Sequence, residues 1–226
     1  MIDTFSRSIR FRSVARFWRS CALTKSIPLT LAVLLSVTAC TASPSENVSG
    51  SSGTAAGSPL SGATILIIRH AEKPPFGSGL SAEGQARAEA YVKYFKNLRQ
   101  GSDLLTPDYI VAADDSEHSQ RSRLTVEPLT KSLGLKPDLR FQAKRPQDLV
   151  REMQSSQHGK VILVCWHHRE IPELLQRLGA DPEKLLPGGE WPQQQFGWML
   201  RLSFDENGKL IPSRAKRVKE HLMPGD

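Results

Sequence analysis

From residue 63 onward the chain alternates short apolar runs with longer amphipathic stretches. Ile65 to Ile68 form an unbroken apolar run that stops abruptly at Arg69, His70, Ala71, Glu72 and Lys73, followed by a proline pair. Such a run predicts a short strand buried on both faces. After a Gly/Pro-rich loop, Ser81 is a helix cap, and Ala88, Tyr91, Val92, Phe95 and Leu98 keep a 3.6-residue period behind it. Tyr109 to Ala113 reads as a second strand, Gln120 to Leu133 as a helix closed by Gly134, and Pro146 to Ser155 as a helix with proline in its first turn. Val161 to Trp166 is a further buried strand, and Ile171 to Leu178 a helix ended by Gly179. Phe196 to Phe204 alternates loosely and passes through Asp205–Gly208 into Lys209, Leu210 and Ile211, a hairpin expected at the margin of the sheet. Strands alternating with helices predict an α/β fold, a three-layer sandwich with a mostly parallel central sheet flanked by helices.

The N-terminal third has a different pattern. Residues 1–25 are rich in arginine, and Ile27 to Ala39 is an apolar stretch of 13 residues, shorter than the ~20 a spanning helix needs. Basic residues, a short apolar region and small residues describe an export signal over residues 1–39. Val37-Thr38-Ala39-Cys40 resembles the lipobox of bacterial lipoproteins, which implies lipidation of Cys40 and a membrane anchor there. Thr41 to Gly62 is nearly all small and polar and reads as a flexible tether, so the expected organisation is signal 1–39, lipidated cysteine and linker 40–62, and a functional domain 63–226 outside the cytoplasm.

Charge and cysteine content change this picture little. The net charge of +7 is concentrated in residues 1–39, which hold six of the 30 basic and one of the 23 acidic side chains. The remainder carries 24 basic against 22 acidic side chains, which removes the case for a nucleic-acid partner. Cys21, Cys40 and Cys165 have neither disulfide-framework nor zinc-site spacing.

Three strand ends carry reactive side chains: Arg69-His70, the cluster Asp114 to Arg123, and Trp166-His167-His168-Arg169. In a parallel sheet these ends share one edge, where two arginines and two histidines would make an anion pocket suited to phosphate. Arg69-His70-Ala71-Glu72, Leu80-Ser81-Ala82-Glu83-Gly84, Arg121 to Leu129, and His167 followed by Ile171-Pro172 together resemble the histidine phosphatase superfamily, which includes the cofactor-dependent phosphoglycerate mutases. The resemblance spans nearly all of residues 64–179 and implies the phosphoglycerate mutase-like fold. It implies His70 as nucleophile, forming a transient phosphohistidine, Arg69 and Arg121 as phosphoryl ligands, and His167 as the second histidine. It further implies a metal-independent phosphatase without cofactor, acting on a small phosphorylated substrate or a phosphoprotein, phosphomonoester or phosphohistidine. The alternatives are a non-catalytic anion-binding envelope module and a mutase-type phosphotransferase.

Departures from the pattern bear on the substrate side. Trp166 stands where the family has glycine, and its indole either narrows the pocket or closes the strand as a core residue. Glu72, Lys73 and His168 are the other expected substrate contacts. Glu117 replaces a serine, with His118 beside it, and both could border the pocket. Position 168 is histidine where many relatives carry an aspartic acid as proton donor, so the general acid is open: Glu117, Asp148 and Glu152 are candidates, with Asp115 and Glu170 behind them. Adjacent histidines on a strand point to opposite sides, so His118, His167 and His168 are not expected to hold a metal.

Overall fold

The computed structural model of the protein describes residues 57–226. The expected signal, Cys40 and most of the tether lie outside them. The domain extends before residue 63: the amide of Ser61 donates to Ser58 O and Leu60 is buried in the core, so the last residues of the expected tether belong to it.

In chain order the elements are β1 (Thr64–Arg69), α1 (Ala82–Asn97), β2 (Arg99–Gln100), β3 (Asp103–Leu104), β4 (Tyr109–Ala112), α2 (Arg121–Leu133), α3 (Pro146–Ser155), β5 (Val161–Trp166), α4 (Ile171–Arg177), α5 (Pro182–Leu185), β6 (Trp198–Ser203) and β7 (Lys216–Lys219). Five strands form one sheet in the order β4-β5-β1-β6-β7. β4, β5 and β1 are parallel, and β6 and β7 run antiparallel to their neighbours. Side chains alternate between the two layers. Ile65, Ile67, Val111, Val164 and Leu200 meet the α3, α4 and α5 side, while Leu66, Ile68, Ile110, Leu163, Cys165 and Met199 meet Tyr91 and Phe95 of α1 and Val126 and Leu129 of α2. The three-layer α/β sandwich is therefore present, its parallel half continued by an antiparallel pair. Among the described residues no helix is long and apolar enough to cross a membrane.

The expected margin hairpin has a longer return. Asp205 caps the turn, accepting at Oδ1 from the amides of Asn207 and Lys209, and Phe204 bridges Leu210, but β6 pairs beyond a 3₁₀ turn with residues 216–219. β7 escaped sequence reading because Lys216-Arg217-Val218-Lys219 is charged, as an edge strand is, and has no buried alternation. The small β2–β3 hairpin was likewise invisible at two residues per strand.

One polar cluster ties the chain's last residue to the segment after β1. Arg87 of α1, buried, donates from Nε and Nη2 to Glu72 Oε1 at 2.9 and 2.8 Å, and from Nη1 and Nη2 to Asp226 Oδ2 and Oδ1 at 3.0 and 2.6 Å. Glu220 lies 3.5 Å from it and accepts from the Tyr91 hydroxyl at 2.9 Å. Burial pushes the Glu220 carboxyl up to about 8, so this acid is protonated at neutral pH and the cluster does not gather three buried negative charges around one guanidinium. Gly84 allows the approach of α1: a Cβ there would lie 2.4 Å from Glu72 O. Replacing Arg87 by Met strands buried acids and is expected to cost about 3–5 kcal/mol, read as a lowered urea midpoint; a midpoint change equivalent to less than about 1 kcal/mol, the scale of an exposed pair, would contradict this role.

Candidate active site

The β1–β5 ladder places the two histidines. Arg69 sits opposite Trp166, and the His70 amide donates to Trp166 O at 3.0 Å, one step beyond the last strand pair. His70 and His167 consequently leave neighbouring strands side by side, with ring centroids 5.3 Å apart and planes at 81°. The His70 side chain forms a 2.8 Å hydrogen bond between Nδ1 and Ala71 O. A carbonyl only accepts, so Nδ1 carries the proton and Nε2 keeps its lone pair, the tautomer a nucleophile needs.

Arg69 and Arg121 flank these rings, and their hydrogen-bond partners are all backbone carbonyls. Arg69 Nη1 donates to Gln193 O at 2.5 Å and Gln195 O at 3.0 Å, and its guanidinium lies 3.9 Å from the Phe196 ring centroid. Arg121 donates to Gly77 O at 3.2 Å and His118 O at 3.1 Å. The Nε of each arginine is buried without a hydrogen-bond partner among the described residues. Thr125 ties the groups together: its hydroxyl donates to Arg121 O at 2.7 Å and accepts from the Ala71 amide at 2.8 Å. One buried side chain thus fixes both the loop after His70 and the start of α2.

Burial lowers all four groups, and neighbouring positive charges lower Arg69 and the two histidines further. Desolvation, with the charges of Arg69, His167 and Arg121, brings His70 down to about 3 against the bond to Ala71 O. Desolvation followed by Arg121 and Arg69 brings His167 down to about 4. Arg69 falls to about 10, chiefly by desolvation, and Arg121 is lowered by desolvation. Cationic groups held together in low dielectric stabilise an anion placed among them.

The remaining expected residues fall into distinct places. Trp166 is fully buried among the α3/α4-side core and donates from Nε1 to Ala143 O at 3.1 Å, so it offers no face to substrate: strand alternation turns it inward. Glu72 is occupied by Arg87 and is a structural partner rather than a substrate contact. His168 is brought down to about 4 by desolvation, then by Arg69, Arg169, His167 and the exposed Lys73; it lines a groove with Arg169 and Trp191 separate from the cavity His167 lines. Asp148 and Glu152 are not acids of this site. They lie on α3 in ion pairs with Arg145 and Arg151, and with Arg140 and His158, and neither lines the His167 cavity. Glu117 is exposed on the Ser116–Ser119 turn, outside the cavity that His118 lines. That cavity, about 410 Å³, is bordered by Asp114, Asp115, Arg121, Lys144, His167 and Glu170 among others. Among the described residues no group of three or more His, Cys, Asp or Glu could hold a metal ion. Cys165 faces the α1/α2 core, where burial raises its thiol far from reactivity.

Two features had no signal in the sequence. The Gln193–Phe196 segment caps Arg69, yet Gln-Gln-Gln-Phe has no periodicity or motif. Thr125 stood inside the recognised Arg121–Leu129 motif, but only the fold puts it against Ala71.

No protein-family model matches the chain, and no curated protein matches it. Solved structures do. A candidate alpha-ribazole-5′-P phosphatase from Escherichia coli K-12 superposes with a TM-score of 0.50 at 12% identity, covering 70% of this chain and 96% of that one. A phosphoglycerate mutase from Plasmodium falciparum (TM-score 0.45, 16% identity, 74% and 96% covered) and the protein histidine phosphatase SixA complexed with tungstate (0.42, 16%, 70% and 97%) are also similar. The chain has the phosphoglycerate mutase-like α/β fold.

The lowered histidines make stability depend on pH. Above 6.5, their ordinary value, both folded and unfolded chains hold these rings neutral. Below it only the unfolded chain takes up protons, so their share of stability is lost as pH falls toward about 4. Glu220 works with the opposite sign, its folded form holding a proton between 4.5 and about 8. The histidine share is therefore a difference: from pH 7 to pH 5 the urea midpoint of a His70→Asn/His167→Asn double variant is expected to fall less than that of the natural chain, and equal falls would refute it.

Proposed function

We propose that the protein is a phosphatase that transfers a phosphoryl group to His70 Nε2 and then to water. The supporting observation is the convergence of His70, in its nucleophilic tautomer, with His167, Arg69 and Arg121, all desolvated and all held by neutral carbonyls or by one another's packing. In the first step the Nε2 lone pair attacks phosphorus and the phosphorus–oxygen bond to the leaving group breaks. In the second, a water oxygen attacks phosphorus, the phosphorus–nitrogen bond breaks, and its electron pair returns to the imidazole. The arginines, and a His167 that takes a proton from solvent once the bound anion offsets their repulsion, neutralise the equatorial oxygens, and this chemistry asks for positioning and charge rather than for a metal. The neutral resting tautomer favours catalysis over mere anion storage, since a storage site would use a protonated ring at that position.

His70→Ala is expected to abolish p-nitrophenyl phosphate hydrolysis and the acid-labile phosphate trapped on the protein; a variant with full activity would sink the reading. Arg121→Ala is expected to lower kcat/KM about a hundredfold, the loss of ~3 kcal/mol for one well-placed donor.

The same proposal places the phosphatase outside the cytoplasm on a lipid anchor at Cys40, on the support of the signal-like segment 1–39 and the lipobox-like Val37–Cys40. Cells fed labelled palmitate should label the natural chain and not a Cys40→Ala variant, and equal labelling of the two would remove the anchor.

A further inference from the structure

Resting on the phosphatase reading, we propose that Glu170 is the proton donor to the leaving-group oxygen, and that the substrate is an alkyl phosphomonoester whose alcohol fits the cavity beside His167. Four lines support the assignment. First, the cavity of about 410 Å³ adjoins the phosphoryl pocket, since Arg121 and His167 line both, and Glu170 lines it with them. Second, the turn after β5 directs this side chain: the Glu170 amide donates to His167 O at 3.1 Å, so the acid stands one turn beyond the second histidine, at the start of α4. Third, the other carboxylates are committed or in open solvent. Asp115 lines the cavity but is held through Oδ2 by Arg123 at 2.8 Å, its Oδ1 buried without a partner among the described residues; Glu72 pairs with Arg87, and Asp148 and Glu152 with arginines around α3, while Asp114 lines the cavity but is exposed. Glu170 is in no ion pair among the described residues.

Fourth, its surroundings hold it toward the protonated form. Half-burial raises its carboxyl above the ordinary value; a hydrogen bond from its own backbone amide, then Arg169 and Lys144, oppose this, and Glu173 on the same helix reinforces it. The other charged or titratable groups bordering the cavity are Asp114, Asp115, His118, Arg121 and His167. A carboxyl poised this way can give a proton in one step and take one in the next.

The chemistry balances. As the bond from phosphorus to the ester oxygen breaks, that oxygen keeps the electron pair and takes the Glu170 proton, leaving as a neutral alcohol. The Glu170 carboxylate then removes a proton from the water that attacks the phosphohistidine, the phosphorus–nitrogen pair returns to His70 Nε2, and Glu170 is again protonated. Such a donor matters for an alcohol that leaves poorly as an alkoxide and hardly at all for p-nitrophenolate. A built proton donor therefore points to esters of aliphatic alcohols.

The test compares the full-length natural chain with Glu170→Gln on glycerol 1-phosphate and on p-nitrophenyl phosphate. With glycerol 1-phosphate, kcat/KM is expected to fall about a hundredfold or more, and the basic limb of its pH profile to disappear. With p-nitrophenyl phosphate the same variant should lose no more than about threefold, in keeping with a leaving group that needs no proton. Glu170→Asp should restore part of the glycerol 1-phosphate activity, and Asp114→Asn should show no difference between the two substrates. Equal losses on both substrates, no loss on glycerol 1-phosphate, or a substrate-dependent loss in Asp114→Asn would overturn the assignment. If the natural chain forms phosphohistidine on His70 and cleaves p-nitrophenyl phosphate but not glycerol 1-phosphate, this inference fails and the phosphatase reading stands. If no phosphohistidine forms on His70, both fail.

Discussion

The parallel pairing of β1 with β5 is the constraint on which the site depends. Both strands are buried on each face, so their register cannot slip without moving apolar side chains out of the core. That register sets Arg69 opposite Trp166, and the bond from the His70 amide to Trp166 O carries it one residue further, where the two imidazoles meet. Geometry that a phosphoryl transfer requires is thus inherited from hydrophobic packing several residues away.

Gathering two arginines and two histidines in a desolvated corner is unfavourable, and the surrounding backbone offsets it. Carbonyls of Gln193, Gln195, Gly77 and His118 accept from the guanidinium groups, and the Phe196 ring lies over Arg69. These partners are neutral, so the positive potential remains available to an anion. A carboxylate in the same position would have cancelled it.

The carboxylate that the chain does place beside the nucleophile is drawn away. Glu72 follows His70 by two residues, but Arg87 on α1 captures it, and Asp226 and Glu220 complete the cluster. The same contacts pin α1 against the loop that carries Ala71, whose carbonyl sets the His70 tautomer. The groups that fix the backbone there also hold the Glu72 carboxylate on Arg87, away from the His70 ring.

Much of the architecture was legible in the chain. α3 and β5 have the bounds their periodicity and proline predict, and the three parallel strands announce themselves as apolar runs, because burial on both faces leaves no other composition. Arg69-His70 and His167 were legible as polar residues at the ends of apolar runs, whereas Arg121 was singled out only by the resemblance. Trp166 and Glu72 were read as substrate contacts because adjacency to a catalytic residue was all the chain displayed; alternation along β5 and the position of Arg87 fifteen residues on turned both away. Likewise Asp148 and Glu152 stood ahead of Glu170 as candidate acids by sequence. What separates them is which surface each helix presents: α3 turns its acids to surface arginines, and α4 begins beside His167 with Glu170 facing the cavity. The sequence by itself determined the strands and the placing of Arg69-His70 and His167 at strand ends, because local pattern and strand termini encode them. Only the tertiary structure decided the capping loop, the Thr125 link, the fate of Trp166 and Glu72, and which carboxyl borders the cavity beside His167, because those depend on contacts between segments far apart in the chain.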